Sequence, residues 1–261
     1  MRRLITLGLA MILAIEFSIP AYAHYLWVNV DNFTPEAGEE ITISMGWGHR
    51  FPEDEQLSAS MLDELYIMDP QGKIIPLEIK PLGEEEIVSP VKIKLERPGT
   101  HLVVAKIKPG FMTITTEGHE LQSKKGLQKA IKGYCYRISA KAIINVGQPF
   151  GNSFQKELNQ RYQIIPLENP VNLKKDDYLS VKVILDGRPF SYSWVYATYA
   201  EFSPEQESFA YTTRADKEGV ANVKILTSGR WLLLTSNEIP YPDSEEADVY
   251  YFTNTLTFEI K

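Results

Sequence analysis

Short runs of alternating apolar and polar residues, cut every few positions by glycine, proline, asparagine or aspartate, dominate this chain. The clearest are YLWVNV, EITISMGW, ELYIMD, PVKIKL, THLVVAKI, RISAKAIINV, YLSVKVIL, SWVYATYA, ANVKIL, RWLLLTS and TLTFEI. Successive strand side chains point to opposite faces, so alternation at period two specifies half-buried strands and antiparallel sandwich packing. Sixteen glycines and 16 prolines suit such turn-rich structure. Only residues 121–132 (LQSKKGLQKAIK) carry a helix-like pattern, and Gly126 interrupts it. The expected fold class is all-β: two immunoglobulin-like or prealbumin-like β-sandwich domains in tandem after a cleaved signal peptide.

Residues 1–23 have the layout of a secretory signal: Arg2 and Arg3, an apolar run over 4–15, and Ala21-Tyr22-Ala23 as cleavage site. The run is too short for a permanent span, and no later stretch approaches ~20 apolar residues. The processed chain is expected to be periplasmic or secreted and not membrane-spanning. An N-terminal sandwich is expected over residues 24–147, a connector over 148–172 and a C-terminal sandwich over 173–261. The connector holds the turn chemistry GQPFGN and PLENPVN. In the second sandwich, Asp186-Gly187-Arg188-Pro189 and Asp216-Lys217-Glu218-Gly219 are similar to the turns of carboxypeptidase-regulatory modules. Gly187 and Gly219 are placed where such turns demand positive φ.

The net charge is −7, made one unit more negative by loss of Arg2, Arg3 and Glu16 with the signal. With no basic stripe, nucleic acid is excluded as a partner. Cys135 is the sole cysteine, so no intramolecular disulfide forms, and its apolar surroundings mark it as a buried small hydrophobe.

Cleavage after Ala23 would make His24 the first residue. Its α-amine and its own imidazole Nδ1 then close a chelate ring on a metal ion, and an amine pKa near 8 lets a metal displace the proton. His49 lies in Gly46-Trp47-Gly48-His49-Arg50-Phe51-Pro52. Pairing YLWVNV with EITISMGW around the turn near Gly38 would set His24 opposite residues 46–49. Parity agrees: His24 shares a strand face with Leu26, Val28 and Val30, and His49 with Ile41, Ile43 and Met45. Two imidazoles and an amine form a nitrogen-rich site of the kind that Ni²⁺, Co²⁺, Cu²⁺ and Zn²⁺ favour. His119, in a loop able to return to that end, is the third candidate ligand. His101 should begin its strand at the opposite end. Trp27 and Trp47 flank the pair, with core or edge packing as their ordinary role.

No nucleophile elbow, phosphate-cradling loop, dinucleotide fingerprint or His-Glu-x-x-His occurs, and no two carboxylates pair for acid–base work. An enzyme is not indicated. The acidic runs Glu84-Glu85-Glu86 and DSEEAD lack the spaced ligands of a calcium loop and are expected as solvated loops.

The segment AHYLWVNVDNFTPEAGEEITISMGWGHRFP resembles the start of a periplasmic unknown-function-domain family. The likeness continues through PGTHLVVAKIKPG, YCYRISAKAIINVG, DGRPF, DKEG, GRWLLL and TLTFEI, nearly the whole processed chain. Members are described as nickel- or cobalt-transport components accessory to energy-coupling-factor-type importers. The resemblance implies a periplasmic sandwich serving transition-metal uptake, with membrane transporter subunits as partners. It carries the metal role only to His24 and His49. A structural or adhesive module without metal is one alternative reading. A copper mono-oxygenase using an N-terminal histidine is another.

Overall fold

The structure, a computed structural model, describes residues 24–261; the expected signal segment lies outside the described residues. In chain order the first strands are β1 (Tyr25–Val30), β2 (Glu40–Gly48), β3 (Leu62–Met68), β4 (Ile74–Pro76), β5 (Pro81–Leu82), β6 (Ile87–Val88) and β7 (Val91–Lys94). Next come β8 (Gly99–Ile107), β9 (Gly110–Thr115), β10 (Gly118–Glu120), β11 (Ala130–Val146), β12 (Tyr162–Pro166) and β13 (Tyr178–Leu185). The last are β14 (Arg188–Pro189), β15 (Trp194–Tyr199), β16 (Tyr211–Arg214), β17 (Val220–Lys224), β18 (Gly229–Pro240) and β19 (Val249–Ile260). The protein is all-β, as its alternation predicts, with no α-helix among the described residues.

Two small sheets cover opposite faces of one large sheet. The large sheet runs β16-β15-β18-β19-β11-β8-β3-β4, with β9 and β10 added beside β11. One cover is β1-β2-β7 and the other contains β12, β13, β14 and β17. Period-two alternation along the shared strands explains the division. In β8, Val103 and Ala105 enter the core beneath the first cover, while Leu102 and Val104 enter the core beneath the second. Burying one such large aliphatic side chain contributes about 1.5–3 kcal/mol. The two sandwiches are joined by a parallel pairing of β11 with β19, from Tyr134↔Val249 to Ala142↔Thr257.

The helix-like pattern over residues 121–132 does not form a helix. Gly126 and Lys129 have φ of +79° and +59°, incompatible with α-helical backbone. Lys124 N–H instead donates to Glu246 O at 2.9 Å, and β11 begins at Ala130. The expected turns do form: Gly187 and Gly219 have φ of +72° and +77°. Asp186-Gly187 is the two-residue loop of the hairpin pairing Leu185 with Arg188, where both loop residues need positive φ. Cys135 is buried, and Arg137 Nη1 donates to its sulfur at 3.1 Å.

Strand β1 is buried on both faces. Leu26, Val28 and Val30 pack with Ile41, Ile43 and Ala140; Tyr25 and Trp27 pack with Phe51, Leu232 and Leu234. One edge of β1 pairs with β2. Its carbonyls at Leu26 and Val28 accept from the Thr255 and Thr257 hydroxyls of β19, at 2.6 and 2.7 Å. These bonds fix the start of the chain against the shared sheet.

Candidate metal centre

The register of the first hairpin creates the site. Tyr25 pairs with Gly48 and Val30 with Ile43, so His24 and His49 follow one step beyond the last pair. Their ring centroids lie 4.6 Å apart with planes tilted by 53°. Trp47 stacks on His24 at 5.2 Å and 14°. Trp27 belongs to the core instead: it is fully buried, and its indole N–H donates to Pro52 O at 3.0 Å.

Gly46 lets the two strands approach around that indole. A Cβ there would sit 2.0 Å from Trp27 Cε2. Gly48 has φ +128°, and a Cβ there would meet Asp54 Oδ2 at 2.4 Å. That carboxylate accepts from the main-chain N–H groups of His49 and Arg50 at 2.7 and 3.1 Å, turning the chain sharply as it leaves β2. Arg50 completes the turn with Nη2 3.6 Å from Asp54 Oδ1, while its side chain stays largely exposed.

Two further carboxylates, which the sequence pattern does not single out, stand against the rings. Glu55 Oε1 is 3.0 Å from His24 Nε2, and Glu207 Oε1 is 3.2 Å from His49 Nδ1. Main-chain bonds hold both: Glu55 N–H donates to Trp47 O and Glu207 N–H to His49 O, each at 2.9 Å. The His49 carbonyl also accepts from the buried Tyr25 hydroxyl at 2.7 Å. The His24 side chain is 24% exposed and that of His49 only 4%. Burial, then the neighbouring His24, pushes the His49 pKa below the usual histidine value despite Glu207, Asp54 and Glu55. The Tyr25 phenol is pushed up by burial, then by Glu207 and Asp54, and stays a neutral donor.

Each histidine has one ring nitrogen close to a carboxylate, without hydrogen-bond geometry between them. An N-terminal histidine chelate uses Nδ1, and Glu55 stands at the other nitrogen of His24. Glu207 stands at His49 Nδ1. A neutral imidazole held by an outer carboxylate is the usual form of a metal-ligating histidine. Among the described residues no group of three His, Cys, Asp or Glu side chains is placed to hold a metal ion. Two imidazoles alone do not make such a group, so a metal held here would need a further donor.

The other candidates lie elsewhere. His119 is exposed on the β9–β10 hairpin opposite Ile114, and the structure does not bring it to the pair. His101 is buried opposite Ile144 on β11, well along the strand from Ala140, which packs near Leu26. Its Nδ1 lies 3.2 Å from Gly99 O, and burial lowers its pKa.

The fold and the histidine pair define a class: a β-sandwich protein with paired imidazoles at one end of its first hairpin. The chain belongs to the family described as "Domain of unknown function (DUF4198)", which matches residues 21–239. No curated protein matches it. Among solved structures it is similar to the D0-D1 domain of intimin, at 12% identity, 89% and 96% coverage of this chain and that chain, and TM-score 0.20. Fibronectin(III)-like modules of Clostridium thermocellum CbhA match at 10% identity, 90% and 94% coverage and TM-score 0.22. A DUF4785 family protein from Legionella pneumophila matches at 14% identity, 92% and 56% coverage and TM-score 0.28. Likenesses this distant carry no function to this chain.

Proposed function

We propose that this protein captures a divalent transition metal through the His24 amine, His24 Nδ1 and His49 Nε2. In this reading residues 1–23 are removed on export, and the processed protein works in the periplasm or outside the cell. It hands nickel or cobalt to a membrane importer and is not itself an enzyme. The observation that carries the reading is the meeting of two imidazoles 4.6 Å apart, each with one nitrogen against a carboxylate. Three nitrogen donors with open coordination positions suit reversible capture better than a closed structural site. The partly exposed His24 offers an entry and an exit for the cargo.

Calorimetry with Ni²⁺, Co²⁺, Cu²⁺ and Zn²⁺ on protein beginning at His24 tests the proposal. His49→Ala is expected to weaken binding by at least 100-fold, and His119→Ala to leave it unchanged. Binding no tighter than about millimolar for all four metals would remove the reading and favour a structural module. A second reading, copper-dependent oxidation, is supported by the same amine, Nδ1 and Nε2 set. It predicts copper-dependent peroxide formation with a reductant, and the absence of peroxide leaves only metal capture.

A further inference from the structure

The two carboxylates at the site come from different parts of the chain. Glu55 lies just after the first hairpin, bridged to Trp47. Glu207 lies in the loop between β15 and β16, on the second sandwich. Its φ of +51° is left-handed, a conformation that a non-glycine residue keeps where the surroundings fix it. Here the bond from Glu207 N–H to His49 O is one such surrounding contact. Near it, Phe209 of the same loop lies against Tyr196, ring centroids 4.9 Å apart and planes tilted by 37°, and packs beside the Tyr25 and Trp27 cluster.

Building on the metal reading, we infer that Glu55 and Glu207 are positioning residues: each carboxylate stands against the outer nitrogen of one histidine, outside hydrogen-bond geometry in this structure, and accepts that ring's N–H when His24 Nδ1 and His49 Nε2 hold a common cation. Both carboxylate side chains are more than half exposed, at 55% and 57%, while the imidazoles they face are more sheltered. A cation on one imidazole nitrogen makes the opposite N–H a stronger donor, and an ionised acceptor strengthens the ligand in turn. Glu207 thereby makes capture at the first hairpin depend on the loop of the second sandwich. The loop is the part of the site that a docking importer could shift to release the cargo.

Competition calorimetry with Ni²⁺ and Cu²⁺, copper electron paramagnetic resonance and long-range ¹H–¹⁵N spectra of metal-free protein test this together. Glu207→Ala and Glu55→Ala are expected to lower affinity 10–100-fold. Glu207→Gln and Glu55→Gln, which keep an acceptor oxygen, should recover part of it, and Glu205→Ala on the same loop should match the parent. Nitrogen hyperfine structure should not change in the Glu variants, because neither carboxylate is a ligand. In metal-free protein His49 should carry its proton on Nδ1, and Glu207→Ala should mix the tautomers. Unchanged affinity in both Ala variants overturns the inference. Loss of an oxygen donor from the copper spectrum of Glu207→Ala also overturns it, since Glu207 would then be a direct ligand. If the parent binds no metal, the metal reading falls, and the tautomer spectra still decide what Glu207 does to His49.

Discussion

Lys141 shows what this interior does to a charge. It is fully buried on β11, its Nζ donates to Ile164 O at 2.5 Å, and burial lowers its pKa to about 7. An unfolded lysine titrates near 10.4, so between these values the unfolded chain binds more protons and stability rises with pH. The contribution is full above about pH 10.4 and is lost as pH falls toward 7. Urea unfolding at pH 9.5 and pH 7 should show a loss of on the order of 3 kcal/mol that Lys141→Met abolishes. An identical pH dependence in parent and variant would contradict it. The sequence gives little warning of this residue, because KAIINV reads as an ordinary alternating strand with lysine on a wet face. That face is covered only because β12, from a distant segment, packs over it.

At the scale of the element, the first hairpin was legible and its surroundings less so. Strand alternation and the turn near Gly38 predict the pairing that the structure has, Tyr25 with Gly48. Glu55 is local, but nothing in its neighbourhood signals that the chain returns to Trp47 after the Asp54 turn. Gly46→Ala tests the close approach: its methyl would overlap the buried Trp27 indole, and chemical denaturation should record a loss of about 2–4 kcal/mol. A smaller loss would mean the indole can move aside. Thr255→Val with Thr257→Val removes the two donors that hold the carbonyls of β1. Each buried acceptor left unpaired costs about 1–3 kcal/mol. Hydrogen exchange should show β1 and β2 opening first in that double variant, and uniform protection loss across the chain would contradict a local role.

At the scale of the molecule, the two sandwiches share a sheet, and this was not legible. Two series of alternating strands with a turn-rich connector read as separate units. The parallel pairing of β11 with β19 joins segments more than 100 positions apart, and no local pattern announces it. Glu207 was hidden for the same reason, since only the tertiary fold lays its loop on His49. The shared sheet predicts one cooperative thermal transition for the whole chain, and a fragment ending at residue 147 should fail to fold alone because β11 loses β19 from one edge and the second cover from one face. Two separable transitions would contradict this. The account rests most on the amine of His24, which only a processed terminus can supply. Nickel and copper affinity, measured by calorimetry on protein beginning at His24 and on the same protein with one extra alanine before it, tests that claim directly. The extension should weaken binding by at least 100-fold, and equal affinity would show that the terminal chelate does not hold the metal.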